Sequence, residues 1–196
     1  MVSPYEGIPV SQWQNSTEEL VRKHPLDINE IVNVVIDAWA KIMRTKIGGE
    51  LQIGVDVFPS PQIMGSYLHE IIPALLSRKH PDIWRREQTK YDKDVEYIPD
   101  TNYAIEIKTS SQNKIFGNRS YGQDNSDNNS GKLKYGYYLA INFEKFTPTN
   151  HHPKIKKIKF GWLDHTDWKA QAAATGQNST LSNDAWNYKL KELYPN

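Results

Sequence analysis

Asp94, Glu106 and Lys108 are the residues of this chain whose types and spacing point to chemistry. Glu106 and Lys108 stand two apart in YAIEIKTSS (103–111), where Tyr103, Ile105 and Ile107 hold the opposite parity. On a strand, that carboxylate and that ammonium project from one face. Asp94 and Glu96 share a face of the preceding stretch, KDVEYI, and the intervening PDTN is a turn signal, so the two stretches predict an antiparallel hairpin. Two registers make the apolar faces coincide: Asp94 opposite Glu106, or Glu96 opposite Glu106. Either register sets two carboxylates roughly 5 Å apart with Lys108 beside them, an arrangement that repels itself. A divalent cation resolves the repulsion. Mg²⁺ takes carboxylate and water oxygens, lowers the pKa of a water and stabilises charge on a phosphate in flight. Lys108 would orient or deprotonate the attacking water, or neutralise the phosphate. The spacing therefore predicts metal-assisted phosphodiester hydrolysis, against the competing explanation of a salt pair on an ordinary strand. A second acid-x-Lys, Asp167-Trp168-Lys169, opens a predicted helix with no facing strand acid.

The rest of the chain must position this hairpin. With 196 residues, one domain with a real core is expected. We expect an N-terminal helical part (1–60), a catalytic core (61–165) and a C-terminal helical part (166–196). Ser16 and Glu19 read as a capping box opening a helix that Pro25 ends. Asp27 and Glu30 open a longer one, stopped at Gly48-Gly49. Ser60-Pro61 starts a third, with Pro73 predicting a kink or break. DIWRRE, KDVEYI and YAIEIKTS predict three short strands, KYGYYLAINFEKF and IKKIKFGWL two more. TDWKAQAAA and NDAWNYKLKELY give weak helical signals.

Composition narrows the function. There is no cysteine, which removes disulfides and thiolate zinc sites and fits a reducing cytosol. No apolar run approaches a membrane span, and the N-terminus lacks a signal-peptide pattern. The net charge of +1 argues against coating nucleic acid by bulk electrostatics but leaves room for a local binding patch.

Asp94 with Glu106-Ile107-Lys108 resembles the PD-(D/E)XK nuclease motif. EIKTSS followed by IFGNRSYGQ, and the later GYYLAINFE, look like a type II restriction endonuclease, most similar among small members to the ScaI-like group. The core resemblance covers about residues 64–145. It implies an α/β fold with a central mixed β-sheet flanked by helices, Mg²⁺ dependence, a homodimer in the bacterial cytoplasm, and cleavage of both strands of double-stranded DNA at a short palindrome. A host DNA methyltransferase acting on the same site is implied too. By the same resemblance Asp94 and Glu106 are metal ligands, Lys108 is the catalytic lysine, and Glu70 is the further helix carboxylate. The motif's proline is absent, since Lys93 precedes Asp94, and Asp92 and Glu96 remain rivals for the first acid. A junction-resolving nuclease of the same superfamily and a non-catalytic DNA-binding module are the alternative functions.

The polar stretch 112–131 carries base-reading chemistry. Arg pairs with guanine, and Asn or Gln with adenine, in the major groove. Lys114, Asn118, Arg119 and Gln123 are the candidates, with Ser120 and Tyr121 for phosphates or stacking. Lys154, Lys156, Lys157 and Lys159 suit either a phosphate backbone or the protection of an edge strand. His69 reads as a packed helix residue, His151-His152 as a surface loop, and Trp39, Trp84 and Trp162 as core.

Overall fold

The computed structural model describes residues 2–122, 132–173 and 176–195. Three helices come first: α1 (Trp13–Lys23), α2 (Ile28–Met43) and α3 (Pro61–Lys79), with a hairpin of β1 (Lys46–Ile47) and β2 (Leu51–Gln52) before α3. Then follow β3 (Trp84–Arg86), β4 (Val95–Tyr97), β5 (Ile105–Ser110), β6 (Phe116–Asn118), β7 (Gly136–Phe143), β8 (Ile155–Leu163), β9 (Trp168–Ala170), β10 (Asn178–Leu181) and β11 (Leu190–Tyr194). Six strands form a mixed sheet in the order β11-β8-β7-β5-β4-β3. Only β5 and β7 run parallel in it. This is the α/β fold with a helix-flanked mixed sheet that the family resemblance implies. A smaller antiparallel sheet has the order β6-β10-β9.

The alternation within β5 divides the molecule into layers. Ile105 and Ile107 face the helices, in a core with Ile31, Val35, Leu68, Ile72, Leu139, Ile141 and Phe160. Glu106 and Lys108 lie level with Tyr138 and Ala140 of β7, and those two residues face a second core built from Ile115, Tyr121, Trp168, Leu181 and Trp186. The polar face of β5 is thus covered by the small sheet. A strand written apolar on one parity and charged on the other is buried on both sides, and its charges must be paired there.

The helix boundaries differ from expectation for identifiable reasons. The first helix starts at Trp13, so Ser16 lies inside it and caps nothing; a 3₁₀ turn at Val10–Gln12 feeds it. Trp13 anchors that start by donating its indole N–H to Ile8 O at 2.9 Å. Asp27 does cap α2, accepting from the Asn29 and Glu30 amides. That helix ends at Met43, ahead of the glycines; Gly48 and Gly49 instead adopt φ of +63° and +81° in the β1–β2 turn, where a Cβ would be strained. α3 runs through Pro73 to Lys79 without a break, its buried stripe held by the neighbouring helix and sheet.

The larger correction concerns the last part of the chain, whose described residues (166–173 and 176–195) hold strands β9 to β11, the end of a 3₁₀ turn (His165–Asp167) and a π-helical turn (Ala185–Lys189) rather than a helical part. β11 pairs along β8, so the lysine-bearing strand is interior and not an edge. Lys159 is buried with its ammonium donating to Trp186 O, while Lys157 pairs with Glu192. Lys189, also buried, is neutralised by Asp164 and Asp167 at 2.7 and 2.9 Å. These long-range pairings override weak local helix propensity. Trp39, Trp84 and Trp162 are buried as expected, and His151 and His152 are exposed. Among the described residues, no helix is long and apolar enough to cross a membrane.

His24, just after α1, makes acid sensitivity a property of the fold. Its Nδ1 accepts from the Leu26 amide and its Nε2 faces Tyr103 O, amid the rings of Trp84, Tyr137 and Phe160. Burial pushes its pKa down from 6.5 to about 4. A depressed histidine contributes stability fully above its unfolded pKa and loses it as pH falls toward the folded value. We expect a loss of about 3 kcal/mol between pH 6.5 and 4. Chemical denaturation of wild type and His24→Gln across that range checks this, the variant showing the shallower pH dependence.

Candidate active site

β4 and β5 pair antiparallel with Val95 opposite Ile105, which sets Asp94 across from Glu106, the first of the two expected registers. Asp94 Oδ2 accepts the Ile107 amide at 2.6 Å, a bond that locks the carboxylate against the site strand. Glu106 is only 3% exposed. Its Oε1 accepts from Lys108 Nζ at 2.6 Å and from the Tyr121 hydroxyl at 2.8 Å. The Lys108 ammonium also lies over the Tyr121 ring, 4.7 Å from its centroid.

Two further groups close the cluster. His69 Nδ1 is 3.6 Å from Asp94 Oδ2. Lys132 Nζ is 2.8 Å from Glu106 Oε2 and 3.3 Å from Asp94 Oδ1. Burial acts to raise the Asp94 pKa, but the His69 contact and the charges of Lys132 and Lys108 more than offset it and hold the carboxyl well below the usual range. For Glu106, burial raises the pKa and the Lys108 charge lowers it; with Lys132 assisting against Asp94, the net direction is down. Both carboxylates are therefore ionised at neutral pH. Burial and the Glu106 charge push the Tyr121 phenol up, so it remains a donor. Behind the cluster, the buried Lys93 ammonium donates to Tyr135 O at 2.7 Å.

The donor set suits a hard divalent cation. Among the described residues, Glu106 Oε2 is buried without a hydrogen bond of good geometry, and it faces the Lys132 ammonium. Mg²⁺ is commonly held by one or two carboxylates alongside water and substrate phosphate, and Asp94 and Glu106 present two carboxylates here. The rivals for the first acid are engaged elsewhere. Asp92 pairs with Arg85 at 2.7 Å, and Glu96 accepts the Lys93 amide at 2.6 Å.

Glu70 is not brought to this cluster. Its exposed carboxylate pairs with Arg86 of β3, and the neighbouring His69 takes the inward position. The helical phase explains the exchange. Gly65, Leu68, His69 and Ile72 share one face of α3, and Gly65 approaches β5 so closely that a Cβ there would meet Thr109 Oγ1 at 2.5 Å. Glu70 falls outside that stripe. The same spacing in the sequence, i, i+3, i+4, i+7, favours His69 over Glu70. No local signal marks Lys132.

The base-reading candidates are placed on and around β6. Asn118 is exposed and ends that strand. Ser120 is exposed, its carbonyl accepting from Lys134. Lys114 pairs with Asn183. The Arg119 guanidinium donates to the Ala173 and Gly176 carbonyls at 3.1 and 3.0 Å, tying β6 to the β9–β10 connection. Tyr121 is buried on Glu106 rather than presented outward. Gln123 lies outside the described residues. A cleft of about 530 Å³ runs beside the cluster, lined by Gln62, Ser66, His69, Thr109, Ser111 and Phe116.

A helix-flanked mixed sheet whose central hairpin sets paired carboxylates and a lysine on one face defines a restriction-endonuclease-like α/β protein. The model of the ScaI restriction endonuclease family matches residues 3–194. The type II restriction enzyme ScaI of Streptomyces caespitosus is 41% identical over 194 residues, covering 98% of this chain and 85% of that protein. The chain belongs to the ScaI restriction endonuclease family. No solved structure matches it.

Proposed function

We propose that this type II restriction endonuclease cuts both strands of duplex DNA at a short palindromic site by Mg²⁺-dependent phosphodiester hydrolysis. The observation that carries the reading is the facing pair Asp94 and Glu106 with Lys108 held on Glu106 at 2.6 Å. Asp94 and Glu106 would hold the Mg²⁺, which when bound supplies Lewis acidity to the phosphate. Lys108 directs its ammonium at the charge that develops on the phosphate oxygens, where a fixed cation in a water-poor site acts most strongly. Tyr121 and Glu106 fix that ammonium in place before substrate arrives. The water oxygen bonds to phosphorus as the bond to the 3′ oxygen breaks, the water releasing a proton to solvent and the 3′ oxygen taking one up, which leaves 5′-phosphate and 3′-hydroxyl ends. The cleft between α3 and β6 suits the duplex backbone, with Ser66, Thr109 and Ser111 as neutral phosphate donors. Asn118 and its neighbours on β6 suit the base edges. A homodimer would present two such sites to a two-fold symmetric sequence. In a bacterial cytoplasm, a methyltransferase of matching specificity would protect host DNA.

A digest of long unmethylated phage DNA, with and without Mg²⁺, tests this reading. Discrete Mg²⁺-dependent fragments with a common terminal sequence support it. A preference for branched DNA, or binding without cutting, contradicts it.

Tyr121 links the reading segment to the catalytic pair. Removing its hydroxyl leaves Glu106 Oε1 to Lys108 alone. We expect Tyr121→Phe to lower the single-turnover cleavage rate 10- to 100-fold, the usual cost of losing an outer partner of a metal ligand. Site affinity and KM should be unchanged, which separates positioning from binding.

A further inference from the structure

Four charged groups meet at the site: the carboxylates of Asp94 and Glu106 and the ammoniums of Lys108 and Lys132. The formal charges of these four cancel, with the buried Lys93 ammonium lying behind them. The oxygens are divided unequally among the partners. Asp94 Oδ2 is taken by the Ile107 amide and His69, and Glu106 Oε1 by Lys108 and Tyr121. Among the described residues, the two remaining oxygens, Asp94 Oδ1 and Glu106 Oε2, both pair with Lys132 Nζ, at 3.3 and 2.8 Å. Asp94 and Glu106 would hold a cation through the oxygens that Lys132 now occupies.

We infer that Lys132 is a displaceable counter-ion that holds the cation position of the free protein and competes with the divalent metal for it. The inference rests on the reading of Asp94 and Glu106 as metal ligands. Two carboxylates facing across a hairpin repel each other, and the ammonium relieves that repulsion until a stronger cation arrives. A divalent ion entering a cluster whose carboxylates are already balanced by ammoniums gains little net attraction. One entering after Lys132 has left meets a net negative charge at short range in a partly buried site, where Coulomb terms are large. The lysine has somewhere to go. Glu87 Oε2, on an exposed side chain, is already 3.8 Å from its ammonium. A displaced Lys132 at that rim would meet phosphate oxygens of entering DNA, so metal and DNA would favour one another's binding through this one side chain.

Calorimetric titration of Mn²⁺ alone into the DNA-free protein tests the competition. Lys132→Met should bind Mn²⁺ at least about tenfold more tightly than wild type, as expected for loss of a close cationic competitor. Lys132→Arg should bind as weakly as wild type. Adding Asp94→Asn to Lys132→Met should abolish the gain. Equal or weaker binding by Lys132→Met overturns the displacement while leaving the ligand assignment intact. Undiminished tight binding by the double variant overturns the ligand assignment, and the inference with it. Should Lys132→Met fail to fold, Mg²⁺ titration of the wild-type protein followed by the Lys132 Nζ resonance decides. A saturable shift is expected, and an unmoved resonance overturns the inference.

Discussion

Lys108→Ala should bind its duplex site with wild-type affinity and cut it roughly 10²–10³-fold more slowly, the usual cost of removing one preorganised stabilising group. The separation of binding from cutting follows from where the ammonium lies. It is mostly buried, 2.6 Å from Glu106 and over the Tyr121 ring, so it contributes little to long-range attraction of DNA. Its removal deprives the phosphate of a cation held ready at the position where charge develops. The fold should survive, because Glu106 retains Lys132 and the Tyr121 hydroxyl. We expect a stability loss of no more than about 1–2 kcal/mol. Single-turnover cleavage beside gel-shift affinity in Ca²⁺ reads the two effects separately.

Glu106→Gln should abolish cutting at least as completely, about 10³-fold or more, yet differ from Lys108→Ala in stability. An amide withdraws one of two carboxylates available to a divalent ion and strips the counter-charge from two ammoniums at once. Lys108 and Lys132 would then remain partly buried with Asp94 and, for Lys132, the more distant Glu87 as counter-charges. Leaving buried charge uncompensated costs about 3–5 kcal/mol in the severe case. Relief of repulsion between the facing carboxylates offsets part of it, so a net loss of about 2–3 kcal/mol is expected. Equilibrium unfolding in denaturant, run beside the cleavage assay, should therefore rank Glu106→Gln below Lys108→Ala in stability while both fail to cut. Equal stabilities would mean that Lys108 and Lys132 do not depend on Glu106 for their charge balance.

The sequence legibly encoded the groups whose relation is local. Asp94, Glu106 and Lys108 sit on two stretches joined by a short turn, so strand parity and one turn determine their geometry, and the register with Asp94 across from Glu106 is one of the two that parity allows. α2 and α3 carry caps that act within one turn. What the sequence hid depends on long-range packing. Lys132 reaches Glu106 from beyond a long polar stretch, and no spacing rule connects them. Tyr121 looks like a DNA-facing aromatic in GNRSYG, and becomes a site residue only because β9 and β10 fold the segment against β5. Those strands come from sequence with weak helical character. Their conformation is imposed by pairing and by the buried Lys189 pairs, which no local window contains. His69 stands between the two cases. The stripe through Gly65, Leu68 and Ile72 encodes its direction, whereas the charge of Glu70 draws attention to the wrong neighbour.

Everything proposed for the site depends on metal binding by the facing carboxylates of β4 and β5. The most direct test of that binding is a crystal of the protein with its mapped duplex site and Mn²⁺, examined at the manganese absorption edge. An anomalous peak is expected between Asp94 and Glu106, with the Lys132 ammonium moved off both carboxylates. A peak coordinated elsewhere, with Lys132 still seated on Asp94 and Glu106, would contradict it.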